Sequence, residues 1–364
     1  MRKPLIRIVL TIVTVFLCYI AAVLIYGTVN DYQPEAVIAL RAEQTADSTM
    51  IQDSVLTFTI WNIGYGGLGA EADFFFDDEG MLRSGNSMIY PPRELTEKYT
   101  AGIAQSVQTT RSDFFMLQEV DVNSKRSHFI NQLGQIKNNL PKYSAFFAPN
   151  YNLPSVTIPL FEPWHFYGKV YSGVATFGKY QPVEATRYQL PGSFAWPTRI
   201  LQLDRCILLQ KYKLKNGKQL VLLNVHNSAH DKDGSLKRQE RDFIKDLIVK
   251  EYEKGNYVIA GGDWNECPPN FPFNTFQPTG DTQGYEPRNV PTDFLPADWV
   301  WVYDPTVPTN RSVRDPYQKD VTFTTLLDYF LISPNVQVTA VKALNQQFQY
   351  SDHQAVWMEV RVLF

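Results

Sequence analysis

The 364-residue sequence predicts an α/β domain with one membrane-crossing helix in front of it. Three observations carry that expectation. Strand-like and helix-like segments alternate from residue 56 to the C-terminus. Polar side chains recur at the ends of the apolar strands. The chain opens with a long, nearly uncharged apolar stretch. The composition, 44% hydrophobic and 20% charged, is that of a folded domain rather than a disordered one. A net charge of −3 gives no bulk basic field of the kind that marks nucleic-acid binding.

Arg2, Lys3 and Arg7 precede the apolar run from Ile8 to Val29, which is long enough to cross a hydrocarbon core of about 30 Å. The residues before Asp31 make a poor small-residue cleavage site, so an uncleaved signal anchor over 1–30 is expected. Cationic residues ahead of the span put the remainder outside the cytoplasm. Residues 31–54 are polar and aperiodic and read as a tether to a domain over 55–364. With three cysteines and no C-x-x-C pair, neither a disulfide framework nor a thiolate metal site is expected.

Within the domain, LTFTIWN (56–62) alternates apolar and polar residues as a half-buried strand does. Thr96 to Arg111 has Tyr99, Ile103 and Val107 at helical spacing. FFMLQEV (114–120) is a buried strand. SGVATFGK (172–179), RCILLQKYKL (205–214) and QLVLLNVHN (219–227) follow, the last two joined by an Asn216-Gly217 turn. Ser235 to Glu253 is an amphipathic helix with Ser235 expected as its cap. YVIAGGD (257–263), LLDYFLIS (326–333) and the C-terminal VWMEVRVLF are strands again. Residues 64–94 and 267–322 read as long loops, which in compact domains are often binding loops.

The strand ends carry the chemistry. Asn62, Glu119, His226, Asp263 with Asn265, Asp328, and Asp352 with His353 each close or follow an apolar strand. One such residue alone is usually a cap or turn former. A sheet core can instead aim all of them into one cleft. A hard cation such as Mg²⁺ takes carboxylate oxygens, substrate phosphate and water. Phosphoester hydrolysis needs that cation, a positioned water, and donors for developing charge.

The segments IWNIG, LQEVD, YSGVATFGK, LDRCILL, NVHN, GGDWN, LLDYFLIS and SDHQAV resemble, in order, those of the endonuclease/exonuclease/phosphatase superfamily of deoxyribonuclease-like enzymes. The resemblance implies a four-layer α/β sandwich, two central mixed sheets flanked by helices. It implies Mg²⁺, with Mn²⁺ as a substitute, held by Glu119 with Asn62 nearby. Asp263 would position or activate water, Asn265 would hold the phosphate, and His353 would contact it, oriented by Asp328 or Asp352. Tyr171 and Arg205 would line the site and contact substrate. The N-x-H at His226 fits the subgroup of nucleases, sphingomyelinases, 5-phosphatases and deadenylases, although Asn227 stands where Leu is usual.

Other motifs point elsewhere less well. The G-x-G-x-x-G of Gly64, Gly66 and Gly69 does not open a helix, as a dinucleotide loop should. His226 and His230 lack the glutamate of a zinc-protease helix. Asp77-Asp78-Glu79 is a weak second metal site. Arg311, Arg314 and Lys319 are candidates for anion contact, the aromatics Phe74 to Phe76, Trp164, Phe166, Trp299 and Trp301 for membrane or substrate contact, and Asn310-Arg311-Ser312 is a short glycosylation match. The expected function is a membrane-anchored, metal-dependent phosphodiesterase acting on lipid. The alternatives are an extracellular nuclease acting on nucleic acid, a phosphomonoesterase, and a catalytically silent binding module. No protein partner is inferable.

Overall fold

The computed structural model describes residues 2–78, 80–229, 231, 233–276, 282 and 287–363. One sheet contains β1 (Val37–Ala39), β2 (Met50–Ile51), β7 (Glu184–Gln189), β8 (Cys206–Leu214), β9 (Gln219–His226), β10 (Tyr257–Asp263), β11 (Val300–Val302) and β14 (Asp328–Ile332). The other contains β3 (Val55–Asn62), β4 (Phe114–Asp121), β5 (Ser144–Val156), β6 (Gly168–Gly178), β15 (Val336–Ala343) and β16 (Val356–Val362). A ribbon of β12 (Asn310–Arg311) and β13 (Thr324–Thr325) lies outside both. The helices are α1 (Arg2–Val29), the single turn α2 (Phe75–Asp78), α3 (Arg93–Thr110), α4 (Gln132–Asn139) and α5 (Ser235–Glu253).

The first sheet is ordered β1-β7-β8-β9-β10-β14-β11, with β2 beside β8; the second is β15-β16-β3-β4-β6-β5. Both are mixed, because β9 pairs β10 in parallel and β3 pairs β4 in parallel while their other neighbours are mostly antiparallel. Phe58, Ile60 and Met116 of one sheet meet Leu222, Ile259 and Phe330 of the other. The outer faces are covered by helices. Ile103 and Val107 of α3 and Ile136 of α4 pack on Phe115 and Leu117. Ile244 and Ile248 of α5, four apart on one helix face, pack on Val221 and Val258. Four layers result, as expected, with the parallel strand pair of each sheet ending at one edge of the sandwich.

Polar groups tie the sheets together just below that edge. Gln118 Nε2 donates to Asn224 Oδ1 at 2.7 Å, and Asn224 Nδ2 donates to Ala175 O at 3.0 Å, all buried. Gly262 completes the close approach: its φ is +141°, and a Cβ there would sit 2.1 Å from the backbone oxygen of Val225. Gly262→Ala is therefore expected to cost about 3 kcal/mol, since strain and overpacking coincide at a backbone atom that cannot rotate away. A urea titration measures it.

Several expectations are corrected. Residues 31–54 are not a free tether. Val37–Ala39 pairs with β7, Met50–Ile51 pairs with β8, and Glu43 N donates to Ala145 O at 2.8 Å, so unpaired sheet edges capture this polar stretch. Ser235 is the first residue of α5 rather than its cap. The free amides of the first turn go to upstream acids, Ser235 N to Asp233 Oδ1 and Lys237 N to Asp231 Oδ2. Strands β5, β7 and β15 were not anticipated. Cys206 and Cys267 are both buried free thiols.

The C-terminal part of α1 rests on the domain. Tyr19 Oη donates to Leu160 O at 2.6 Å, Trp196 Nε1 donates to Thr28 Oγ1 at 3.1 Å, and Asp31 pairs with Arg199 at 3.4 Å. Beside this contact, burial pushes the Asp204 carboxyl up to about 7, with the Asp31 charge adding to it and Arg187 and Arg199 opposing. A carboxyl raised in the folded state favours folding while it stays protonated. That contribution is full below the ordinary carboxylate pKa and is lost as pH rises toward 7. Asp204→Asn should therefore raise Tm at pH 8 relative to the unaltered chain and leave little difference at pH 4, as thermal melts at the two pH values would reveal.

Candidate active site

The functional side chains converge where the strands end. Asn62 closes β3, His226 closes β9 and Asp263 closes β10, with His226 and Asp263 paired in register. Glu119 is re-aimed rather than simply presented. Ladder register shifts between Leu117 and Val120, and Glu119 has φ +54°, a left-handed backbone uncommon for this residue type. Val120 thereby joins Leu117 in the helix-covered core, and Glu119 turns into the gap between the sheets. Its Oε1 accepts from Asn62 Nδ2 at 3.2 Å.

Asp263 is the hub. Its Oδ2 accepts from Asn62 Nδ2 at 3.0 Å and from Asn265 Nδ2 at 3.2 Å, and its Oδ1 accepts from Asn265 N at 2.9 Å. His226 Nε2 lies 3.6 Å and His353 Nε2 lies 3.7 Å from the same Oδ2. His226 Nε2 is also 3.8 Å from Glu119 Oε1. Behind His353, Nδ1 donates to Asp328 Oδ2 at 2.8 Å. Asp328, not Asp352, thus fixes this ring; Asp352 Oδ2 stands 3.9 Å from His353 Nε2 and its Oδ1 accepts from Ser351 Oγ. Gly64, at φ +50°, lets the loop after β3 pass this carboxylate, since a Cβ there would lie 2.7 Å from Asp352 Oδ1.

The two histidines are driven apart electrostatically. Burial, with the Arg205 and His353 charges, holds His226 well below the usual imidazole range. Burial opposes charge on His353 too, but Asp328, Asp263 and Asp352 outweigh it and hold that imidazole well above the range. Burial thus disfavours charge on His226 while the carboxylates around His353 favour it, a separation of the kind that acid–base and charge-stabilising chemistry uses. Burial lifts the Asp328 carboxyl to about 6 against the His353 charge, and the Asp352 carboxyl to about 7, with Glu119 adding to the latter.

The site fits a divalent cation. Glu119, Asp263, Asp328 and Asp352 crowd together, and among the described residues no Lys or Arg forms an ion pair with any of them. Four carboxylates against one imidazole leave an excess of negative oxygen that matches a hard cation's preference. Two donor sets are present. Asp263, Asp328 and His353 bring one ligand atom each within 4.8 Å of one another. Glu119 keeps a partly exposed carboxylate, and Asn62 is its sole hydrogen-bond donor among the described residues. With His353 Nδ1 tied to Asp328, only its Nε2 is left to ligate, whereas Glu119 offers the most exposed carboxylate of the two sets.

A family model, Endonuclease/Exonuclease/phosphatase family, matches residues 60–353. The chain belongs to this family. It is a metal-dependent phosphoester hydrolase of that group, with the buried acidic and histidine cluster such chemistry needs. No curated protein sequence matches the chain. Among solved structures, an endonuclease/exonuclease/phosphatase from Beutenbergia cavernae is similar at 15% identity, covering 85% of this chain and 72% of that one with a TM-score of 0.56. The human Nocturnin catalytic domain with bound sulfate is similar at 17% identity, 90% and 97% coverage and a TM-score of 0.52. ANGEL2, a 2',3'-cyclic phosphatase, is similar at 14% identity, 90% and 99% coverage and a TM-score of 0.53. At these identities the likeness is one of fold.

Arg205 stands in the field of Glu119, Asp263 and Glu240, and its Nη1 is buried without a hydrogen-bond partner. Tyr171, expected to line the site, does not. Ser172 faces the Arg126–Asp121 pair, accepting from Arg126 Nη2 at 3.1 Å, so its strand neighbour Tyr171 must face the other way. The Tyr171 ring packs on Phe147 under the helices. Asn310 is a site residue that sequence reasoning missed as such. It is buried, its Nδ2 lies 3.0 Å from His353 Nε2, and its backbone bridges that of His353. This burial also removes the glycosylation reading. Arg311 is no free anion contact either: its Nη2 donates to the carbonyls of Leu68, Gly69 and Ala72 and holds the loop after β3. Trp299 is buried, Trp301 packs on Trp264, and Phe74 to Phe76 pack on one another and on Tyr167. His230, Glu79 and the side chains of Asp77 and Asp78 lie outside the described residues.

Proposed function

We propose that the chain is a membrane-anchored phosphodiesterase that hydrolyses the headgroup phosphodiester of a phospholipid or sphingolipid outside the cytoplasm. One observation carries the substrate class. The anchor α1 docks on the loops 156–168 and 190–205, which sit at the catalytic edge. The first leads into β6, whose Ser172 pairs Asp121 beside Glu119. The second ends at Arg205, in the field of Glu119 and Asp263. An anchor held there by Tyr19 and Thr28 turns the mouth of the site toward its own bilayer.

In this reading Glu119, with Asn62, holds the cation, which when bound neutralises charge on the phosphate. Asp263 accepts a proton from the attacking water and orients it in line with the leaving oxygen. The cationic His353, backed by Asp328, donates to the charge that develops on the phosphoryl oxygens. Arg205 meets a second phosphate oxygen. Asn265 acts mainly by holding Asp263, since its amide donates to Asp263 and to Asn227 O.

The test offers the full chain, with Mg²⁺, vesicles of sphingomyelin and phosphatidylcholine, plasmid DNA, and 4-nitrophenyl phosphate. Headgroup release from vesicles well above DNA nicking is expected. Nicking of DNA without lipid hydrolysis would move the enzyme to nucleic acid, and turnover of the monoester alone would make it a phosphatase.

A further inference from the structure

Four large apolar side chains stand exposed around the docked end of α1: Leu82, Phe161, Trp164 and Trp196, with Trp164 at 79% exposure. They come from three loops that share one end of the molecule. Leu160 N and Phe161 N donate to Met81 O and Leu82 O, joining two of the loops. Trp196 touches the anchor directly through Thr28. Not every exposed apolar residue is here: Val55 opens β3 at the end far from Asn62, and Phe129 and Val321 stand on other loops.

The anchor sets a depth for this patch. A core of about 30 Å takes about 20 helical residues, so a span that begins after Arg7 ends near Gly27. Tyr19 then lies about 12 Å below the outer edge of the hydrocarbon. Its hydroxyl nevertheless donates to Leu160 O, and Phe16 packs on Phe161 at 5.9 Å. A loop tip in contact with that part of the anchor must itself enter the bilayer. Its backbone suits that position: Leu160 O is satisfied by Tyr19, and Leu160 N and Phe161 N by neighbouring carbonyls, while the Glu162 carboxylate accepts from Ser84 N and Oγ. Unsatisfied backbone groups would forbid such immersion.

We infer that Leu82, Phe161, Trp164 and Trp196 form a rim that inserts into the outer leaflet of the membrane holding α1, seating the site mouth on the lipid surface. The inference rests on the reading of α1 as a membrane anchor. Tryptophan suits such a rim, because its amphipathic ring favours the membrane–water interface. Insertion by three loops and a helix fixes orientation, which a single helix with a free tether would not.

The experiment reads tryptophan emission of the full chain in phosphatidylcholine nanodiscs with and without bromine on the upper acyl chains. Since α1 contains no tryptophan, quenching reports on the domain alone. Flotation of the protein with vesicles is measured alongside. The expected result is flotation together with loss of the emission share of two of the seven tryptophans, and disappearance of that loss in a Trp164→Phe/Trp196→Phe variant with an unchanged circular dichroism spectrum. Flotation without bromine quenching, or quenching that survives in the double variant, would overturn the rim and leave the anchor standing. Failure to float would overturn both.

Discussion

Asp263→Asn should lower kcat by about 10³-fold with KM nearly unchanged. The carboxylate is 2% exposed and accepts three hydrogen bonds, from Asn62, Asn265 N and Asn265 Nδ2. An amide of the same shape keeps the volume but turns one acceptor into a donor. That donor faces Asn62 and the two histidines, and no longer takes a proton from water. Steady-state kinetics with any accepted phosphodiester measure the effect. A variant within tenfold of the unaltered enzyme would remove Asp263 from the chemistry.

The second large effect is expected at Asp328→Asn. Here the altered residue holds the histidine rather than the substrate. Asp328 lies 2.8 Å from His353 Nδ1 and is the largest favourable influence on that ring's charge. With an amide in its place His353 loses its cationic bias and its fixed tautomer, and a fall in kcat of about 10²-fold or more follows. The pH profile separates this role from simple structural damage. Burial lifts the Asp328 carboxyl to about 6, so the unaltered enzyme should lose activity as pH falls through about 6, where protonated Asp328 no longer supports the imidazolium. In Asp328→Asn that acid limb should vanish, leaving a low, flatter profile. An acid limb of unchanged position would assign it to a different group.

Much of this site was legible because the chemistry sits on strand termini, and strands announce themselves by alternation. Asn62, His226 and Asp263 each follow an apolar run whose last residue is fixed by the ladder. Glu119 was found by type, not by geometry: its orientation depends on a bulge and a left-handed backbone that alternation does not encode. The same limitation misplaced Tyr171, whose facing depends on the register of β6 against β4. Asn310 was read only as a short surface motif, since its partner His353 lies 43 residues away and only the folded loop joins them. The polar stretch 31–54 carries no strand pattern of its own; open edges of β7 and β8 impose it. Arg311 looked like a surface cation because nothing in its neighbourhood announces the three carbonyls from 68–72 that bury it.

The most direct test of a bilayer-facing site is headgroup release by the full chain reconstituted with its substrate lipid in the same vesicle. A mouth turned to its own membrane should give a Mg²⁺-dependent rate that does not change as the vesicles are diluted and that is abolished in Asp263→Asn. Silence toward lipid in the same bilayer, with hydrolysis of soluble nucleic acid by the same preparation, would contradict it.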